Sequence, residues 1–308
     1  MAGTYQAVVF FEYGEPDVLR VVELDVPQPG PGQVRITVRA AGVNPFDWKI
    51  RSGAMAGVIP VKFPVVPGSD VAGVVDRVGE GVTAFAVGDE VLGSASSGSY
   101  AELTLASVDR ITAKPAEVSW EVAAGLPVVA TTTYRALALL GLTAGETVVI
   151  DGAAGGVGTV AVQVARHRGL TVIGTASERN HDYLRSLGAT PVTYGDGLAD
   201  RVRAVAPHGV DAALDASGRG SIPALIDLTG DPGRVVTIAD HTAGALGVRY
   251  TSGGPDEVPG SLADAVTLVA AGTITLPIAR TYPLSGAAAA HRDSQAGHVH
   301  GKLILLPG

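Results

Sequence analysis

The chain has 308 residues, 46% hydrophobic and 17% charged, with a formal net charge of -8 and no cysteine. A chain this long and apolar is enough for about two domains with a large core. The acidic balance, without a basic block, speaks against nucleic acid and anionic membrane as partners. The absence of cysteine excludes disulfides, thiolate catalysis and cysteine-bound zinc, and fits a cytoplasmic protein. No stretch reaches the roughly 18 uninterrupted apolar residues of a membrane span, and the N-terminus carries no targeting pattern.

In chain order, residues 1–118 read as strands and turns. "YQAVVF", "RVVELDV" and "QVRITVRAAGV" are β-branched runs, and a Pro/Gly cluster at 27–32 separates the last two. "DVAGVVDRVGEGVTAFAVGDEVLG" continues as valine strands closed by glycine turns, so this half predicts a rolled antiparallel β-domain. The character changes near Trp120, where "SWEVAAGLPVVATTTYRALALLGL" has helical spacing and Ser119 as its cap. From Thr147 strands and helices alternate: "TVVIDG", a helix over 157–168, "LTVIGTA", a helix over 178–187, then "VDAALDAS" and "GRVVTIAD". Short apolar strands between helices predict a parallel sheet with right-handed crossovers. After about residue 257 come the helix "SLADAVTLVAAG", a strand-like "RTYPL", an alanine-rich helix and a closing strand, "KLILLP", that returns to the first domain. The expected division is 1–121 with 258–308 against 122–257.

The stretch "GAAGGVG" at 152–158 lies between a strand and a helix. Gly152, Gly155, Gly156 and Gly158, with Val157 among them, let the backbone approach a pyrophosphate, and the helix N-terminus offers N–H groups and partial positive charge. A tight turn without ligand is the plain alternative, but the following strand stands where a second Rossmann strand should. Binding of NAD would call for a carboxylate at the end of that strand. The chain instead has Ser177 and Arg179, able to donate to and pair with a 2′-phosphate, and Glu178 reads as a first-turn acid. The expected cofactor is therefore NADPH.

Six stretches in order carry a family resemblance: "AGVNPFDWKIRSG", "PGSDVAGVVDRVGEGV", "LPVVATTTYRAL", "GAAGGVG", "LRSLGA" and "GHVHGKLIL". With them the chain resembles, nearly end to end, the zinc-free, zeta-crystallin-like quinone oxidoreductases of the medium-chain dehydrogenase/reductase superfamily. The resemblance implies an α/β protein with a GroES-like β-domain and a doubly wound Rossmann domain, NADPH between them, and usually a homodimer. Zinc-dependent relatives use a cysteine, a Gly-His-Glu motif and a further ligand. Here Ser69 and Asp70 stand in the corresponding stretch, so no metal site is expected, and His298 and His300 read as surface or tail residues.

By similarity, Asn44 lies beside the nicotinamide, with a turn residue before Pro45 as the plainer reading. Asp47 and Arg51 match a recurring acid and base and read as an ion pair holding the loop. Lys49 replaces the tyrosine of some relatives and is either a cation near developing negative charge or solvated. Thr132 matches a nicotinamide contact, the alternative being a hydroxyl bonded back to its own helix. Tyr194 matches an aromatic near the adenosine phosphate, or is a core tyrosine. Gly301 and Lys302 match a C-terminal pair that approaches the cofactor. Lacking a Lewis acid, hydride transfer suits an acceptor that delocalises charge, a quinone or an enone. An enoyl reductase or other biosynthetic tailoring enzyme, and a non-catalytic NADPH-binding protein, are the readings left open.

Overall fold

The computed structural model describes residues 3–297 and 299–308. The elements, in chain order, are β1 (Thr4–Val9), β2 (Arg20–Asp25), β3 (Gln33–Val43), α1 (Pro45–Arg51), β4 (Asp70–Val78), β5 (Glu90–Ser94), β6 (Leu103–Ser107) and β7 (Ile111–Ala113). Then follow α2 (Trp120–Leu140), β8 (Thr147–Asp151), α3 (Gly156–His167), β9 (Thr171–Thr175), α4 (His181–Ser186), β10 (Thr190–Val192), α5 (Leu198–Val205), β11 (Ala212–Asp215), α6 (Ile222–Thr229), β12 (Val235–Thr237) and β13 (Arg249–Tyr250). The chain ends with α7 (Ser261–Ala270), β14 (Ile278–Pro283), α8 (Ala287–Ala296) and β15 (Lys302–Leu306). By contacts it divides into two units, one of residues 1–128, 262–270 and 276–308, the other of 129–261 and 271–275.

The first unit carries a seven-stranded sheet of order β14-β15-β3-β4-β5-β7, with β6 also on β3. Its pairings are antiparallel except β14 with β15. Alternating side chains of β3 turn Val34, Ile36 and Val38 inward, where they join Val71, Val75, Val91, Leu303 and Leu305 in one core. The closing strand β15 pairs with β3 at Val43, Gly42 and Ala41, which brings the C-terminal segment onto the N-terminal sheet as expected. Gly42 is required there: a Cβ would stand 2.4 Å from the carbonyl oxygen of Ala124 and 2.8 Å from Asp70 Cβ.

The second unit is a parallel sheet of order β10-β9-β8-β11-β12-β13. Counted from β8 this is 3-2-1-4-5-6, the doubly wound Rossmann arrangement, whose order reverses between β8 and β11. Its strands are near-continuous apolar runs because both faces are covered: Val149, Ile173, Ala213 and Val235 pack with Leu198, Val202, Ile222 and Leu225 of the flanking helices. The helix expected over 178–187 is shorter. A 3₁₀ turn over Glu178–Asn180 precedes α4. Ser119 caps α2 as expected, its hydroxyl accepting from the Val122 N–H at 3.3 Å. By length and composition α2 could cross a bilayer, but 72% of its apolar window is buried within the fold, which accounts for its hydrophobicity.

Candidate active site

The glycine turn sits at the switch point, leaving β8 and entering α3. Gly152 has φ +77°, a conformation that favours glycine, and a Cβ at Gly158 would stand 2.3 Å from Gly152 O and 2.6 Å from Ala153 Cα. Those two glycines close the turn. Gly155 has a different role: a Cβ there would meet only Gly152 O, at 3.3 Å, so its outer face is open. Gly155 is the cap residue of α3 and no side chain caps the helix, leaving the first-turn N–H groups of Gly156, Val157 and Gly158 without intrahelical acceptors. An anion fits this arrangement.

Sequence reasoning missed how the turn is held. Thr175, at the end of β9, accepts from Gly152 N–H at 3.1 Å and donates to Asp151 Oδ1. Asp151 Oδ2 accepts from Ser217 and, at 2.6 Å, from Ser221. Asp215 receives the N–H groups of Ser217 and Gly218, both at 2.9 Å, and Thr237 Oγ1 at 2.8 Å. Two buried carboxylates thus tie the ends of β8, β9, β11 and β12 together. The available signal was an aspartate closing each of two apolar strands, "VVID" and "AALD".

At the end of β9 no carboxylate follows Thr175 directly. Ser177 is half-buried, Glu178 and Arg179 are exposed, and Asn180 Nδ2 reaches Ser177 Oγ at 3.4 Å. Tyr194 is 45% exposed, which removes the core reading of this side chain. Its loop is fastened by Arg201, which donates to the carbonyls of Thr193, Tyr194, Gly195 and Asp196 at 2.6–3.2 Å.

In the first unit, Asn44 caps α1 and is 3% exposed. Its backbone N–H donates to Asp47 Oδ2 at 2.9 Å in a capping box, and its side chain has further partners. Asn44 Nδ2 donates to Asp70 Oδ2 at 2.9 Å, and Lys302 Nζ donates to Asn44 Oδ1 at 2.5 Å. With an ammonium on one side and a carboxylate on the other, the amide has only one sensible orientation. It retains one N–H for a ligand. Lys302 Nζ also lies 3.4 Å from Asp70 Oδ2, in an ion pair that is almost wholly buried. Asp70 Oδ1 accepts from Val128 N–H at 3.0 Å, just after Pro127 interrupts the α2 ladder.

Asp47 is where the structure corrects an expectation. It forms no ion pair with Arg51. Asp47 accepts from Asn44 N–H and from Tyr100 OH at 2.9 Å, whereas Arg51 donates to Gly14 O at 2.5 Å and Gln295 Oε1 at 2.9 Å. Burial pushes the Asp47 carboxyl up to about 7, against the pull of its two hydrogen bonds. Burial and the nearby Asp47 also push the Tyr100 hydroxyl well above its usual range. Tyr100 gives its proton to Asp47, so His291 Nε2, 3.2 Å from Tyr100 OH, must be the donor there. Burial holds His291 down to about 3, which keeps the imidazole neutral near pH 7 with its one proton on Nε2.

Thr132 lies on α2, 8% exposed, and its Oγ1 accepts from Arg135 NH2 at 3.3 Å. Lys49 is half-buried on α1, its ammonium 5.9 Å from the centre of the Trp48 ring. Gly301 has φ +90°, and a Cβ there would meet Pro277 O at 2.1 Å, so glycine is obligatory before Lys302. His300 is half-buried, and His298 lies outside the described residues.

Comparison with known proteins agrees with this architecture. Residues 30–116 match the alcohol dehydrogenase GroES-like domain, and residues 187–305 match a zinc-binding dehydrogenase domain. The human quinone oxidoreductase is 33% identical, covering 98% of this chain and 97% of its own. A mycobacterial protein solved with NADPH is 31% identical with a TM-score of 0.87, covering 98% of this chain and all of its own. The Escherichia coli quinone oxidoreductase, also solved with NADPH, superimposes with a TM-score of 0.88 at 26% identity over 98% of this chain and 100% of that one.

The zinc named in the second domain match does not fit the residues present. No cysteine exists, Asp70 is engaged by an ammonium and an amide, and no cluster of three or more His, Cys, Asp or Glu able to hold a metal lies among the described residues. The glycine turn, in contrast, fits a dinucleotide: its glycines close the turn on the inside and leave Gly155 and the first-turn N–H groups open on the outside. Taken with the full-length relatives, these features place the chain in the quinone oxidoreductase family of the medium-chain dehydrogenase/reductase superfamily.

Proposed function

We propose that the protein is an NADPH-dependent oxidoreductase that reduces a quinone or an activated C=C bond without zinc. The observation that carries this reading is an intact glycine turn at the switch point of the parallel sheet, in a chain whose full-length relatives are quinone oxidoreductases. When bound, NADPH supplies the hydride. Gly156, Val157 and Gly158 would receive the pyrophosphate on their backbone N–H groups, while Gly152 and Gly155, whose own N–H groups bond Thr175 and Gly152 O, would shape the turn that lets it approach. Ser177 and Arg179 receive the 2′-phosphate, with Tyr194 against the adenosine end.

Asn44 and Thr132 act at the nicotinamide end, and Gly301 with Lys302 completes the cofactor contacts. In this reading Lys302 works through Asn44, whose amide it orients together with Asp70. The spare Asn44 N–H would offer a hydrogen bond to an oxygen atom that gains charge, and the Thr132 hydroxyl would offer one to the nicotinamide end of the cofactor. Removing one such donor typically lowers turnover by about 10²–10³-fold. Lys49 is a cation near the developing negative charge, and the proton that completes the reduction comes from water or from Lys49. A conjugated acceptor spreads charge over its own framework, so a few neutral donors suffice, whereas oxidation of a simple alcohol calls for a base or Lewis acid that this cluster lacks. The same reading makes the protein a homodimer, as the family resemblance implies, and a cytoplasmic protein, which the absence of cysteine fits.

The test is NADPH oxidation across quinones, enones, enoyl thioesters and, in reverse, simple alcohols. Quinone or enone reduction faster than any alcohol oxidation is expected, and efficient alcohol oxidation with negligible quinone and enone reduction would overturn the assignment. Arg179→Ala should narrow the preference for NADPH over NADH by about 1–3 kcal/mol, the scale of a charged hydrogen bond. An unchanged preference would remove Arg179 from the phosphate site.

A further inference from the structure

A buried arginine stands next to Thr132 and has no part in the reading above. Arg135 lies one turn along α2 and is 5% exposed. Its Nε donates to Thr251 Oγ1 at 3.0 Å, and its NH2 donates to Thr132 Oγ1 at 3.3 Å. Thr251 in turn donates to Asp256 Oδ2 at 2.8 Å, and Arg249 pairs with Asp256 at 2.5 Å. The direction of every bond in this chain is forced. A carboxylate only accepts and a guanidinium only donates, so Thr251 gives its proton to Asp256 and takes one from Arg135. Thr132 likewise takes a hydrogen bond from Arg135 and keeps its own proton to give.

We propose that Arg135 is a positioning residue for the reaction centre: anchored by Thr251 and Asp256, it fixes the Thr132 hydroxyl as a hydrogen-bond donor toward the nicotinamide end of the bound cofactor. The inference rests on the reading that places Thr132 at that end. It gives the 3₁₀ turn at Gly254–Asp256 a task, because that turn holds the acid that ends the chain of bonds. A guanidinium on the Thr132 oxygen also polarises the hydroxyl, making it a better donor than an unassisted threonine.

The experiment compares two ligands, NADPH and 2′-phospho-ADP-ribose, which is the cofactor without its nicotinamide. Dissociation constants are measured by titration for the wild type, Thr132→Val, Arg135→Met, the double variant, Thr251→Val and Arg135→Lys. Thr132→Val and Arg135→Met should each weaken NADPH by about five- to tenfold, the scale of one hydrogen bond, and leave 2′-phospho-ADP-ribose unchanged. The double variant should be no weaker than the worse single variant, because both remove the same interaction. Thr251→Val should weaken NADPH in the same selective way by a smaller factor, and it carries the test if Arg135→Met fails to fold. Arg135→Lys should recover part of the loss.

If Thr132→Val binds NADPH like the wild type, the placement of Thr132 is wrong and the inference goes with it. If Thr132→Val weakens NADPH but Arg135→Met is silent, or the two losses multiply, the placement stands and the role of Arg135 is refuted. Equal weakening of both ligands by Arg135→Met and by Thr251→Val would mark Arg135 as a structural residue only.

Discussion

The glycine turn at the head of α3 offers a ligand backbone N–H groups and open space, whereas the cluster around Asn44 consists of side chains already bound to one another. In the turn, specificity comes from atoms that are absent: Gly155 has no Cβ to fill its outer face, and Gly158 has none to strike Gly152 O. In the cluster it comes from charges taken out of water and matched, Asp70 with Lys302 and Asp47 with the donors of Asn44 and Tyr100. The first arrangement stores little folding energy and is altered by any added atom. The second ties stability to the proposed role of Asn44, because each group that orients Asn44 is also a buried polar group that needs its partner.

That contrast can be broken at several points. The largest effect is expected at Lys302→Met, which leaves Asp70 charged and buried without its counter-ion. Denaturant unfolding should show a loss of about 3–5 kcal/mol, and adding Asp70→Asn should return part of it. A Lys302→Met variant as stable as the wild type would show that the pair is not matched as described.

Gly158→Ala should act mainly on the other side of the comparison. The added methyl must displace Gly152 O or Ala153, costing about 1–3 kcal/mol of stability and moving the backbone proposed to receive the pyrophosphate, so NADPH affinity should fall. An alanine variant that binds NADPH like the wild type would mean the turn does not hold the cofactor.

A smaller, graded effect is expected from pH. The Asp47 carboxyl is pushed to about 7 from its ordinary 3.8, so between those values the folded chain holds a proton that the unfolded chain has released. Its contribution to stability is complete below about pH 4 and is lost as pH rises to about 7. His291, held near 3 against an ordinary 6.5, works in the opposite sense: its contribution is complete above about 6.5 and lost as pH falls toward 3. Asp47→Asn removes only the first effect. The variant should therefore gain on the wild type as pH rises from 4 to 7, by at most about 1.4 kcal/mol per pH unit. A pH-independent difference between the two proteins would show that Asp47 titrates as an ordinary carboxylate.

The turn was legible in the sequence because its determinants are contiguous: a strand, glycines at fixed offsets and a helix all lie within 147–167. That the second sheet is parallel was legible from the alternation of apolar strands and helices, whereas its strand order is seen only in the folded chain. The Asn44 cluster was legible only in part. Lys302 and Asn44 are 258 positions apart, and β15 pairing with β3 is what brings them together. In the sequence Asp70 only occupies the stretch where zinc-dependent relatives have a ligand, whereas in the fold it holds an ammonium and an amide. Asp47 and Arg51 have the spacing of a helical ion pair, yet the cap of α1 claims Asp47 and the Gly14 carbonyl claims Arg51. Burial decided both, and burial belongs to the packed fold, not to spacing along one helix.

The central claim is NADPH-dependent, zinc-independent reduction of a conjugated acceptor, and one measurement addresses it most directly. Initial rates with a single quinone are compared for NADPH and NADH, before and after exhaustive chelation. Turnover with NADPH that exceeds turnover with NADH and survives chelation is the predicted result. Loss of activity together with release of stoichiometric zinc, or equal use of NADH, would contradict the account.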